Sequence, residues 1–286
     1  MNNHDPPPVS TTGHGRQSLA TGFREVDTSG DTGACCRCLD LIAGIPFFQD
    51  VKRDSVRIIA DAGPARVLDA GCGTGGDLAA LASTLPRNCG IAGIDASASL
   101  LARAAERTAG TGDRCLLVRG DILDMPFSNG VFDACRIDRV LQHIHEPQRA
   151  IRELTRVLAP GGILVAFDND WDTFSISLDD QELAGRIGRF WRDSFASGRI
   201  GRDLPRIFGE AGLIEIHGEP RALVLADLPV AEQVFDLPHL IERMAQSGAL
   251  TPAETAVIWE ELIRRSCKGT FFSGYTGYLV RGTKPE

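Results

Sequence analysis

The stretch Val67-Leu-Asp-Ala-Gly-Cys-Gly-Thr-Gly-Gly-Asp77 constrains this chain more than any other. A short apolar run enters a glycine turn, and a helix is predicted to begin near Asp77. Glycine takes φ > 0 without a Cβ clash and lets a backbone come close to a ligand. A helix start just beyond it offers unpaired N–H groups. Gly71, Gly73 and Gly76 satisfy the G-x-G-x-x-G spacing of a dinucleotide-binding turn. Asp69, two residues before the first glycine, argues against that ligand. A carboxylate beside a pyrophosphate is repelled, whereas one beside an ammonium group is attracted.

Four further blocks follow in order. They are Ala92-Gly-Ile-Asp-Ala-Ser97, Gly120-Asp-Ile-Leu-Asp-Met-Pro-Phe127, Phe132-Asp-Ala-Cys-Arg-Ile-Asp-Arg-Val-Leu-Gln-His143 and Glu153-Leu-Thr-Arg-Val-Leu-Ala-Pro-Gly-Gly162. Together with Val67–Asp77 they resemble the motif series of class I S-adenosylmethionine-dependent methyltransferases. The specific likeness covers residues 50–172 and is loose elsewhere. The Leu-Gln-His segment and Asp170-Trp-Asp-Thr173 most resemble the ubiquinone-biosynthesis-like branch and natural-product enzymes. The resemblance implies an α/β fold: a Rossmann-like sheet, mostly parallel with its last strand antiparallel, under a helical cap. It implies S-adenosylmethionine as cofactor, held at its amino-acid end by Asp69, Gly71, Gly73 and Gly75. Asp95 and Ala96 would take the ribose, and Asp121 and Ile122 the adenine. Arg139 is the candidate for the methionine carboxylate, with Lys52 or Arg53 as alternatives.

At 286 residues the chain can bury a full α/β core. A net charge of −8 opposes nucleic-acid binding, which needs a basic face. No apolar run approaches the roughly 18 residues that cross a bilayer. Residues 1–22 lack an apolar signal core and read as a disordered arm, so a cytoplasmic location is expected. Eight cysteines in so long a chain do not make a disulfide scaffold. Cys35, Cys36 and Cys38 are clustered, but no second pair completes a zinc site, and no metal is expected. Cys72, Cys115 and Cys135 read as small apolar fillers.

Residues 23–62 read as lid helices, and residues 63–286 as one catalytic domain. Strands and helices alternate from Arg66 to Asp168, which implies a parallel sheet with its ligands at the carboxyl ends of the strands. Asn129-Gly130 is expected to turn the chain into the fourth strand, and Gly162–Asp168 to form the fifth. Leu178–Ser197 reads as a helix, Gly201–Gly212 as another, and Leu213–His217 as a strand. Val230–Arg265 is expected to be two helices split at Ser247-Gly248, and Thr270–Arg281 the final strand. Cap insertions fall near residues 172–198 and 230–266. Phe271 and Phe272 are expected in the core.

Methyl transfer from a sulfonium is an in-line displacement that needs alignment and exclusion of water. Alignment alone can supply ~7–11 kcal/mol. A hydroxyl or amine acceptor also gains from a base that titrates near the working pH, and histidine suits that role. His143 is the expected base and Asp168 its orienting partner, as the resemblance to natural-product O-methyltransferases implies. His145 belongs to the turn before Pro147. Trp171 and Phe174, just past the catalytic strand end, are the candidate substrate wall. The expected acceptor is an O or N atom of a small secondary metabolite. Two alternatives remain: a methyltransferase fold using the cofactor without transfer, as a cyclase or binding partner, and, less favoured, an NAD-dependent oxidoreductase. A homodimer is compatible with the sequence.

Overall fold

The computed structural model describes Phe23, Val26–Thr28 and residues 32–286. The arm expected at residues 1–22 lies outside them. Among the described residues, seven strands form one sheet: β1 Arg66–Ala70, β2 Gly90–Asp95, β3 Cys115–Arg119, β4 Phe132–Asp138, β5 Leu158–Ile176, β6 Ile214–Leu225 and β7 Ser273–Thr283. Their order is β3-β2-β1-β4-β5-β7-β6. The first five are parallel, and β7 runs antiparallel between β5 and β6. This is the Rossmann-like methyltransferase sheet that the motif order implies.

The helices are α1 Thr32–Ala43, α2 Pro46–Asp61, α3 Gly76–Thr84, α4 Ala98–Thr108, α5 Pro147–Val157, α6 Gln181–Asp193, α7 Ile200–Glu210, α8 Leu228–Val234, α9 Leu237–Gln246 and α10 Pro252–Cys267. Chain chemistry sets their ends. Ser97 caps α4 by accepting from Leu100 N, and Thr251 with Glu254 closes a capping box on α10. Pro147 at the start of α5 costs no helical hydrogen bond there. None of the described helices is long and apolar enough to cross a membrane.

Strands β1, β2 and β4 are buried along most of their length, because apolar clusters cover both faces. One face packs Leu68, Ile94, Ile137, Leu154 and Phe208; the other packs Val67, Ile91, Leu81, Val165 and Ile59. A third cluster fills the cap, with Trp171, Phe174, Trp191, Phe235 and Leu240 at its centre. Burying one such side chain stabilises by roughly 1.5–3 kcal/mol, so the cap is a second core seated on the strand ends.

The turn at Asn129-Gly130 does deliver the chain into β4, with Gly130 N donating to Arg156 O at 3.0 Å. Other boundaries differ from the sequence reading. β5 runs on to Ile176, since β7 continues beside it across an irregularity between Asp170 and Ser175. β6 extends to Leu225; it is an edge strand with mostly exposed side chains, so no apolar alternation marks it. The second cap insertion holds three helices, because Asp236 takes a left-handed φ of 49° and Pro238 starts a new helix. Phe271 is buried, but Phe272 is exposed.

Candidate active site

A cavity of about 690 Å³ opens at the carboxyl ends of the strands. Its lining includes Gly71, Gly73, Asp95, Ala96, Asp121 and Ile122, from the glycine turn and the β2 and β3 exits. It also includes the apolar and aromatic side chains of Ile42, Phe48, Trp171, Trp191, Phe195 and Tyr275. Asp138, Arg139, Gln142 and His143, on and after β4, stand in the wall of the same cavity.

The turn after β1 has no room for a side chain at two of its glycines. Gly71 has φ 71°, and a Cβ there would meet Val140 Cγ2 at 2.3 Å. Gly75 also has positive φ, 75°, but its constraint comes from elsewhere: a Cβ would lie 2.9 Å from the Ala104 backbone. Gly75 therefore serves the packing of α3 on α4, while Gly71 and Gly73 face the cavity. Asp95 closes the turn from β2. Its carboxylate accepts from Gly73 N at 2.8 Å and from Ser97 N at 2.9 Å, and burial pushes its pKa upward. Asp121 accepts from Leu123 N at 2.9 Å, which holds the turn that carries Ile122.

Asp69, expected at the amino-acid end of the cofactor, is not among the residues that line the cavity. It is buried, and its Oδ1 accepts from Arg136 Nη1 at 3.0 Å. Arg136 is the hub of a charge cluster. It donates to Asp77 at 2.9 Å, to Asp138 at 2.6 Å and to Ser55 Oγ at 2.6 Å. Lys52 joins through Asp77 at 2.7 Å, and Arg139 through Asp138 at 3.2 Å. Burial raises the pKa of Asp69 against the pull of Arg136. Burial also opposes the charge on Asp77, but Arg136 and Lys52 hold its carboxyl well below the usual range. The acid of this cluster that reaches the cavity is Asp138, beside Arg139. Arg139 has a left-handed φ of 55°, a strained geometry for a non-glycine residue, and its guanidinium lies over Phe48 at 4.7 Å. Lys52 and Arg53 are engaged instead with Asp77 and Asp50.

A polar chain in the cavity lining, which the sequence did not announce, joins the β4 exit to β5. Gln142 Oε1 accepts from Trp171 Nε1 at 2.8 Å and from Asn169 Nδ2 at 3.0 Å. Its Nε2 lies 3.1 Å from His143 Nε2. Asp168 accepts from the backbone N–H of Gln142 at 3.2 Å and of Asn169 at 2.9 Å, and burial pushes its pKa up to about 7. The direct His143–Asp168 pair is thus replaced by a link through Gln142. The His143 ring sits between Phe23 at 5.5 Å and Phe195 at 5.7 Å. Trp171 forms cavity wall, while Phe174 packs inside the cap against Phe235 at 5.0 Å. Cys38 also lines the cavity, and Cys35 is buried beneath it with Val26 and Leu100. Among the described residues, no group of three or more His, Cys, Asp or Glu is arranged to hold a metal.

The charges discriminate between ligands. Among the described residues that line the cavity, Arg139 is the only arginine or lysine, against the acids Asp95, Asp121, Asp138 and Glu146. A pyrophosphate would lack cations there, whereas a sulfonium and an ammonium group are favoured. Bare backbone at Gly71 and Gly73, a carboxylate at Asp95 and the Asp138–Arg139 pair fit S-adenosylmethionine, whose amino-acid end is a zwitterion.

Comparison with known proteins agrees. Residues 68–166 match the family model of a methyltransferase domain. A 37.1 kDa protein in transposon TN4556 of Streptomyces fradiae is 35% identical over 236 residues, which cover 81% of this chain and 67% of that protein. A demethylmenaquinone methyltransferase of Staphylococcus aureus is 31% identical over 140 residues, 48% of this chain and 58% of the relative. The matches thus span about two thirds or less of these relatives' lengths. Among solved structures, the Haemonchus contortus phosphoethanolamine N-methyltransferase 2 in complex with S-adenosyl-L-methionine aligns with TM-score 0.56 and 19% identity, covering 95% of this chain and 61% of that one. The chain belongs to the class I S-adenosylmethionine-dependent methyltransferases. S-adenosylmethionine is its cofactor.

Proposed function

We propose that this enzyme methylates an O or N atom of a small, largely apolar metabolite, with His143 receiving the proton that the acceptor atom gives up. The observation that carries this reading is the mixed lining of the cavity. It joins the glycine turn and Asp95 to an aromatic and aliphatic wall, and His143, held by Gln142, lines the same cavity.

S-adenosylmethionine supplies an electrophilic methyl group on a sulfonium. Gly71, Gly73 and Asp95 would hold the nucleoside side, with Asp121 and Ile122 beside the adenine. Asp138 would face the ammonium group and Arg139 the carboxylate. Trp171, Trp191, Phe195 and Tyr275 would hold the acceptor and keep water out, and neither task needs a charged group. His143 lies at the edge of this wall and removes the acceptor's proton; Gln142 orients its ring. A scaffold that keeps reactants aligned is sufficient for much of the rate enhancement. The charge of the sulfonium is dispersed during transfer, so the apolar wall does not penalise it.

Hydroxylated aromatics, quinols and amines of secondary metabolism are the acceptors to screen, following methyl incorporation by mass spectrometry with the cofactor labelled in its methyl group. Transfer by the wild type that falls in His143→Ala, with cofactor affinity kept, supports the reading. Equal turnover in that variant removes the base. An acceptor that is converted without gain of the labelled methyl, and with the cofactor intact, would instead favour cyclase chemistry. The chain's composition and its lack of a bilayer-length helix among the described residues are compatible with a cytoplasmic role in natural-product biosynthesis.

A further inference from the structure

We infer that Gln142 is a positioning residue that fixes His143 as the neutral imidazole with its proton on Nδ1 and a lone pair on Nε2. Its consequence for catalysis rests on the proposed proton transfer, but the inference itself does not.

The argument starts from two groups that each bond in one direction. An indole N–H can only donate. Trp171 Nε1 lies 2.8 Å from one terminal atom of the Gln142 amide, so that atom is oxygen. A backbone carbonyl can only accept. Arg139 O lies 3.3 Å from the other terminal atom, so that one is nitrogen. Asn169 Nδ2, 3.0 Å from the oxygen, agrees with both. The amide orientation is therefore decided by its surroundings.

The amide nitrogen lies 3.1 Å from His143 Nε2 and can only donate. The ring nitrogen must accept, and a neutral imidazole that accepts at Nε2 carries its hydrogen on Nδ1. An imidazolium would aim N–H at N–H. Gln142, Asn169 and Trp171 are all buried, and the two hydrogen bonds at the oxygen end of the amide are shielded from water. The rings of Phe23 and Phe195 limit rotation of the imidazole.

Under the proposed function, Nε2 is the atom that accepts the substrate proton. Gln142 keeps it unprotonated, and an incoming O–H or N–H displaces the amide N–H as it docks. The same amide joins the ring to Trp171 in the acceptor wall, so the position of the wall is coupled to the position of the base. A carboxylate partner would favour the charged ring, whereas this amide favours the neutral one.

Nitrogen-15 spectra of the histidine rings in the full-length protein at neutral pH test this, with the His143 signals assigned by their loss in His143→Gln. The expected pattern is an unprotonated Nε2 and a protonated Nδ1. The reverse pattern, or an average of the two tautomers, overturns the inference. Gln142→Glu keeps an oxygen for Trp171 and Asn169 but offers the ring an acceptor, so Nε2 should become protonated in that variant. An Nε2 that stays unprotonated in the folded variant also overturns the inference. Should the variant not fold, the wild-type pattern decides alone. The expected wild-type pattern together with full turnover by His143→Ala would uphold the positioning role and remove only the proton-transfer role.

Discussion

Replacing Asp168 by Asn should change stability with a sign that depends on pH. Asp168 is fully buried, and burial raises its pKa from 3.8 to about 7 despite hydrogen bonds from Asn169 N and Gln142 N. A raised folded-state pKa means that the folded protein binds the proton more tightly than the unfolded chain. The stabilising contribution of that proton is complete below the unfolded value and is lost as pH rises towards the folded one. The shift of about three units corresponds to about 4 kcal/mol across this window at most. Asn cannot titrate, and it can accept with only one atom, so one of the two backbone donors loses its partner. That loss costs about 1–3 kcal/mol at every pH. Asp168→Asn should therefore be less stable than wild type near pH 4 and more stable near pH 8. Urea unfolding of both proteins across that range measures the difference, in which other titrating groups cancel to first order. A stability difference independent of pH would refute the assignment of a buried, raised carboxyl at this position.

Other perturbations separate binding, packing and charge. Asp95→Ala removes the acceptor for Gly73 N and Ser97 N, and calorimetry should show cofactor affinity falling at least about tenfold, the equivalent of one lost polar contact of about 1.4 kcal/mol. Arg136→Met leaves Asp69, Asp77 and Asp138 without their shared partner; chemical denaturation should show a loss of about 3–5 kcal/mol at neutral pH, and a loss under about 1 kcal/mol would mean that the cluster is not a buried charge network. Gly75→Ala should destabilise by about 1–3 kcal/mol through left-handed strain and collision with Ala104. Calorimetry on its folded fraction should find cofactor affinity close to wild type, which distinguishes it from Gly71→Ala, where the added methyl meets Val140 at the cavity.

The frame of the fold was legible because its signals are local. The glycine turn, the acid ending β2, the Gly120-Asp121 exit and the Pro160-Gly-Gly162 turn each announce themselves within a few residues, and their order gives the sheet. What escaped depends on contacts distant in sequence. Arg136 is buried only because α2, β1, α3 and β4 bring Ser55, Asp69, Asp77 and Asp138 to it. A charged residue inside the buried run of β4 was the available signal, since such a charge demands partners. The Arg136 partner of Asp69 was hidden for the same reason: it lies 67 residues away. Gln142 adjoins the expected base in sequence, yet its role follows from Asn169 and Trp171 on the next strand. β6 was read too short because an edge strand with exposed side chains has no apolar period to display.

The central claim is that the cavity over Gly71, Gly73 and Asp95 is the S-adenosylmethionine site. The most direct measurement is calorimetric titration of wild type and Asp95→Ala with S-adenosylmethionine and S-adenosylhomocysteine, with NAD as control. The account predicts one site per chain for both adenosyl ligands in the wild type, affinity lost or much reduced in the variant, and no binding of NAD. Preference for NAD, or adenosyl binding that is indifferent to the Asp95 substitution in a folded variant, would contradict it.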